Sequence, residues 1–240
     1  MGGRFENVSS CPPPPPPPPL RGTLLAGLVV GSSLVVGNLW DPELDYFWNI
    51  IPSSPPPPLC GIDIVAYALH PDGRTIFMST ASATHSVDTS NGSWKELGDW
   101  VLPFKGQAYF DDNLDAWVGI HGKEDGYICC CPVASRSRTT RRPPDCRMLN
   151  EKLFLRNSEK TWRKKGRHMK ATLTYMGYSR FCLVENILRR ADGLDSVLHV
   201  TLFTLKYDGM GELRNKVHPC TRSYAVSKNT RLFSHAAFWM

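Results

Sequence analysis

Short apolar runs set apart by Pro, Asp, Asn and Gly follow one another along most of the chain, and no apolar stripe of helical period is sustained. IVAYAL (residues 64–69) leads through Pro71-Asp72-Gly73 into TIFMST (75–80), then THSVD (84–88), Asn91-Gly92 and SWKEL (93–97). Four short strands joined by tight turns within about 35 residues predict an antiparallel meander. The pattern then recurs. QAYFDD (107–112), DAWVGI (115–120) and YICCCPV (127–133) mirror the first three strands. A third copy runs through ATLTYM (171–176), SRFCLVE (179–185), LHVTLFTLKYD (198–208), GELR (211–214) and RSYAVS (222–227). ENILRRADGL (185–194) has room for a turn or two of helix but lacks the stripe of a packed one.

A strand repeat of this length predicts an all-β fold of antiparallel four-stranded blade-like meanders, a partial β-propeller. One corner recurs within it. Asp41 precedes Leu44, Tyr46 and Trp48; Asp88 precedes Asn91-Gly92 and Trp94; Asp208 precedes Gly211 and Leu213. Asp closes such a turn by accepting from backbone N–H groups two residues on, Gly supplies positive φ, and the large side chain covers the adjoining sheet. These positions are expected at the corner between a blade's third and fourth strands. In the second copy Pro132 stands near the place of the Asp. Trp48, Trp94, Trp100 and Trp117 recur at blade-like positions and are expected to fill the core and the seams between blades.

TLLAGLVVGSSLVVGNLW (23–40) carries no charge, approaches the length of a membrane span and contains Gly27-x-x-x-Gly31. Gly31-Ser32-Ser33 and Gly37-Asn38 interrupt it, and its Val and Leu runs suit two strands around a turn, the preferred reading. Eight prolines precede it instead of a charged segment and cleavage site, so it makes a poor signal peptide. The sequence therefore divides into a Pro-rich tail at 1–22, a propeller-like domain at 23–228 with a basic loop insertion about 134–170, and a tail at 229–240.

With 240 residues, 42% of them hydrophobic, the chain can bury one sizeable core or two small ones. Much of the +6 net charge sits in SRSRTTRR (135–142) and WRKKGRHMK (162–170), read as solvated loops. No aromatic-rich recognition motif accompanies them, so no nucleic-acid partner is expected. Eight scattered cysteines are read as reduced thiols of an intracellular protein. Cys129-Cys130-Cys131 lacks zinc-site spacing, and successive strand residues face opposite ways, so these are expected to be small buried hydrophobes. Asp111, Asp112 and Asp115 resemble the start of a calcium loop, but Ala116 and Gly122 stand where Gly and Glu are needed. A solvated hairpin turn is expected there. His121, near Glu124 and Asp125, is read as part of a polar loop. Nucleophile-elbow, zinc-protease and phosphate-loop motifs are absent, so no enzyme activity, catalytic residue, cofactor or metal is expected.

AYALHPDGRTIFMSTASATHSVDTSNGSWKELGDWVLPFKGQAYFDDNLDAWVG, with KATLTYMGYSRFCLVE, resembles a grass-lineage plant family catalogued only as a domain of unknown function. Its members are similar to kelch-type and F-box-associated propellers. The resemblance spans roughly residues 46–227 and is most specific in Gly98-Asp99-Trp100, Leu102-Pro103-Phe104, Gly106, Ala108-Tyr109 and Trp117-Val118-Gly119. It implies a propeller without catalytic residues and a noncatalytic kelch-like module that binds a protein partner in the cytoplasm or nucleus. A ring needs at least about four blades against about three and a half units here, so an incomplete member is expected. The alternatives are a single-pass protein anchored by residues 23–40 and a truncated product without independent function.

Overall fold

The computed structural model describes residues 64–124, 126–135, 142–154, 167–188 and 196–226, together with the backbone of three strands before them. All regular structure among the described residues is β. The three early strands are β1 (Leu24–Val30), β2 (Ser33–Leu39) and β3 (Trp48–Ile50), paired antiparallel in that order. Leu24 lies opposite Leu39 and Val30 opposite Ser33, so the uncharged segment forms a hairpin around its Gly-Ser step. Among the described residues no helix is long and apolar enough to cross a membrane.

The first meander comprises β4 (Ala66–Leu69), β5 (Thr75–Ser79), β6 (Thr84–Asp88) and β7 (Ser93–Gly98). The second comprises β8 (Gly106–Asp111), β9 (Ala116–Ile120), β10 (Ile128–Pro132) and the two-residue β11 (Arg147–Met148). Their strand order is β11-β10-β9-β8-β4-β5-β6-β7. Every neighbour is antiparallel except β4 and β8, which run parallel with Ala66, Tyr67 and Ala68 opposite Gly106, Gln107 and Ala108. Two meanders thus meet along their first strands and fan outward, as blades do around a propeller axis. Burial follows this order. β5 and β9 are buried on both faces, whereas the outer strand β7 exposes Ser93, Lys95 and Glu96, charges that discourage pairing at a free edge.

The third unit comprises β12 (Arg167–Tyr175), β13 (Arg180–Leu188), β14 (Ser196–Tyr207) and an outer strand in two pieces, β15 (Leu213–Asn215) and β16 (Cys220–Val226). Leu205 lies opposite Asn215 and Leu202 opposite Cys220, so three steps along β14 match five along its partner. The surplus falls at Lys216 to Pro219, where a proline cannot donate to the ladder. Residues 185–188, where the sequence left room for a helical turn without the stripe of a packed helix, extend β13, each in register against β14.

The second unit lies between the other two, and its alternating side chains serve two cores. Trp117, Cys129 and Cys131 join Ala66, Phe77, Leu97, Trp100 and Phe104 of the first side. Val118, Ile120 and Cys130 join Leu173, Phe181, Leu183 and Phe203 of the third unit. Sheet faces stacked in this way make an all-β, propeller-like fold whose ring is not closed.

At Gly119 two elements approach closely, against a ring that packing holds in place. A Cβ there would lie 2.6 Å from Phe104 Cδ1 and 3.1 Å from the Ala108 Cβ. Gly119→Ala is expected to destabilise the chain by about 1–3 kcal/mol, the usual cost of overpacking. Gly209→Ala, which meets nothing within 4 Å, is the control in urea unfolding. Equal midpoints for the two variants would refute the clash.

Candidate functional site

Three aspartates close turns through their side chains. Asp72 Oδ1 accepts the Arg74 and Thr75 amides at 3.0 and 2.8 Å, and Oδ2 accepts the Thr75 hydroxyl at 2.7 Å. Partial burial pushes its pKa up, but these bonds and the nearby His70 outweigh it and hold the carboxyl down at about 2. Asp88 accepts from the Ser90 hydroxyl and, at 3.0 Å, from the Ser90 amide, while Gly92 N donates to Asp88 O at 2.8 Å with φ of 69°. The Ser90 hydroxyl is the main cause that lowers the Asp88 pKa. Asp208 Oδ1 accepts the Met210 and Glu212 amides, both at 2.9 Å, and Oδ2 accepts Arg214 Nε at 3.1 Å. The Glu212 amide is the leading cause that lowers its pKa. Asp41 lies outside the described residues, and Trp48 is described only as the first backbone position of β3.

The remaining tryptophans occupy three settings. Trp94 packs over Ile76, Met78 and Val87, the small outer cluster of the first meander. Trp100 is buried in the core between first and second units, and its carbonyl accepts the Thr84 hydroxyl at 2.6 Å. Trp117 is fully buried, meets Phe77 edge-on at 5.0 Å between centroids, and donates from Nε1 to Leu69 O at 2.7 Å.

The acidic run after β8 is not wholly a solvated turn. Asp111 is completely buried, whereas Asp112 and Asp115 are exposed. Asp111 Oδ1 accepts Leu114 N at 2.9 Å and the Ser179 hydroxyl at 2.8 Å; Oδ2 accepts Ser179 N at 2.8 Å. The carboxylate is therefore satisfied by the turn of the next unit, which is why it tolerates burial. That turn is unusual. Tyr178 and Ser179 both have positive φ, 54° and 56°, with Arg180 N donating to Gly177 O at 3.0 Å. Two consecutive non-glycine residues in the left-handed region cost strain that the surroundings must offset, and such strain concentrates at functional sites.

The same end of the third unit carries a second turn. Ser179 O accepts Leu205 N at 2.9 Å, which ties the turn between β12 and β13 to the last part of β14, three residues before Asp208. Tyr178 is 60% exposed and Met210 82% exposed on these two turns. Arg180 lies 5.9 Å over the Tyr178 ring. Asp111, a buried polar group, thus supports a rim that presents two large apolar side chains to solvent.

A further cluster gathers on the second unit. The ligating atoms of His121, Cys129 and Cys146 all lie within 4.8 Å of one another. His121 is fixed by its bridge to Phe104 and by N–H donation to Tyr127 O at 2.9 Å, and its Nδ1 accepts Glu124 N at 2.7 Å. Cys129 is buried on β10; Cys146 is exposed just before β11. The side-chain hydrogen bond between Cys129 and Cys146 raises the Cys129 pKa, with burial adding to it, and lowers that of Cys146, while the Cys129 thiol also lies 3.8 Å from its acceptor Pro103 O. Partial burial lowers the His121 pKa against the opposing Glu124 charge. Strand alternation separates Cys130 from Cys129 and Cys131 as expected, whereas the partners of Cys129 in this cluster lie off its own strand. The donors come from three segments with no zinc-motif spacing to announce them. Cys129, Cys130, Cys131, Cys146 and Cys182 are free thiols, as read from the sequence; Cys220 departs from that reading, being disulfide-bonded.

The model of a family described as "Protein of unknown function (DUF1668)" matches residues 38–224. A search of curated proteins gave no match. Among solved structures, the chain is similar to the β-propeller domain of Cps50 (Swd1) from Myceliophteria thermophila, at 10% identity and a TM-score of 0.38 over 83% of this chain and 56% of that one. It is similar to the periplasmic gluconolactonase PpgL of Pseudomonas aeruginosa at 13% identity and 0.32, over 82% and 67%. The WD40 domain of SCAP from fission yeast follows at 10% and 0.30, over 90% and 55%. The chain therefore spans little more than half the length of two of these structures. Likenesses with TM-scores under 0.5 add nothing to the fold, which rests on strand order and register.

Proposed function

Since the chain belongs to the DUF1668 family of proteins of unknown function, we propose that it is a noncatalytic interaction module whose contact surface is the rim bearing Tyr178 and Met210. The observation that carries this reading is the pairing of backbone strain with exposure. Tyr178 is held at positive φ by a turn clasped to buried Asp111, yet it is left exposed to solvent, as is Met210 on the turn after β14. Aromatic and methionine side chains presented from ordered turns suit a protein partner, because they offer large apolar area to bury and such residues are enriched at interfaces. The family resemblance extends this reading to a kelch-like, grass-lineage plant protein of the cytoplasm or nucleus with an unknown protein partner. On it, Asp41, Trp48, Asp88, Gly92, Trp94, Trp100, Trp117 and Asp208 are blade-corner and seam residues of a propeller domain over 23–228, flanked by tails at 1–22 and 229–240.

The test is affinity capture of the full chain from its native extract, set beside a Tyr178→Ser, Met210→Ser double variant of equal thermal stability. The expected result is a protein recovered by the unaltered chain and reduced about tenfold or more by the variant, as truncating central anchors does. Recovery of the same proteins by both would remove the rim from consideration.

A further inference from the structure

We propose that His121, Cys129 and Cys146 form a Zn2+ site that ties the entry of β11 to the ladder of β9 and β10. Two sulfur donors and one imidazole match a borderline-soft cation, and the absence of oxygen donors in the set excludes calcium or magnesium as its preferred occupant. Tetrahedral Zn–S and Zn–N bonds of about 2.3 and 2.0 Å set neighbouring donors nearly 4 Å apart. The observed spread within 4.8 Å closes to that range by side-chain rotation.

The donors are held by different parts of the fold. Cys129 stands on a strand paired on both sides, opposite Gly119 of β9 and Met148 of β11. His121 is pinned by backbone bonds to Tyr127 and, through the bridge, to Phe104. Only Cys146 lies in solvent, so a cation can enter from outside and meet a largely preformed pair.

Binding replaces two S–H bonds by Zn–S bonds and sends both protons to solvent, while the imidazole ligates in its neutral form. Coordination through His121 Nδ1 exchanges the hydrogen bond from Glu124 N, which lies in an exposed turn, for a metal bond. No oxidant or reductant takes part. The consequence is structural: past its two-residue ladder β11 is held by Leu149 N donating to Ile128 O at 2.8 Å and by buried Leu149, and the metal adds a tie at its entry, where Cys146 is exposed.

The full chain, reduced and freed of metal with a chelator, is titrated with Zn2+ against a chromophoric zinc indicator, with proton release followed in weak buffer and Co2+ as a spectroscopic stand-in. The expected result is one equivalent bound, about two protons released per Zn2+, and a thiolate-to-cobalt charge-transfer band. Cys146→Ser, an exposed position that leaves the core intact, is expected to lower affinity at least tenfold and weaken the band; His121→Ala is expected to lower affinity at least tenfold. Zinc binding unchanged in Cys146→Ser, or no charge-transfer band in the unaltered chain, would overturn the site. Failure of the reduced chain to bind Zn2+ while air joins Cys129 to Cys146 would do so as well.

Discussion

Trp117→Ala is expected to destabilise the chain by about 3–5 kcal/mol, the range for removing a buried aromatic side chain from a core. The ring is fully buried, sits on β9 of the second unit, and reaches into the first. There it meets Phe77 of β5 edge-on and donates to the carbonyl of Leu69 at the end of β4. Two losses therefore coincide: a cavity at the seam, and a carbonyl deprived of its partner. Trp117→Phe separates them. It keeps most of the apolar contact and removes the donor, so a smaller loss of about 1–3 kcal/mol is expected, close to the penalty for one orphaned polar group. Urea unfolding followed by circular dichroism measures both. A loss below about 1 kcal/mol for the alanine variant would show that the seam repacks and that Trp117 does not join the units.

What could be read along the chain was local. Short apolar runs bounded by turn residues located β5 within TIFMST and β9 within DAWVGI, and placed the start of β15 in GELR, because an apolar run and a Gly or Asp corner are written in consecutive residues. The pairing of β4 with β8 was not legible in that way. Parallel neighbours lie far apart in sequence, and nothing in Ala66 to Ala68 or Gly106 to Ala108 names the other. For the same reason β11 lay concealed within the stretch read as a basic insertion, since two residues carry no period. Asp111 was misjudged for a different reason. Its acidic neighbours suggested solvent, and besides Leu114 N the donors that make burial tolerable come from the turn of a unit almost 70 residues later. The Cys–His cluster combines both difficulties: its members are non-local, and each alone suits a core or loop position.

The second large effect tests that buried carboxylate. Asp111→Ala is expected to cost about 3–5 kcal/mol, because it leaves three buried donors of Leu114 and Ser179 without an acceptor, each orphaned group costing about 1–3 kcal/mol. Asp111→Asn is the more discriminating variant. It matches the shape but offers one oxygen and an amino group where two oxygens now accept, so one Asp111 contact sets donor against donor. A loss of about 1.5–3 kcal/mol is expected, the value of a hydrogen bond to a charged group. A cycle with Ser179→Ala should return a coupling of about 0.5–3 kcal/mol, since the two side chains share a bond across the seam. Asp111→Asn should also weaken partner capture beyond its effect on stability. The Tyr178 backbone is held at positive φ by the turn that Asp111 clasps, and a looser turn no longer presents the ring in one place. If Asp111→Asn were as stable as the unaltered chain, the carboxylate would not be the fastening of second unit to third, and the rim would need another support.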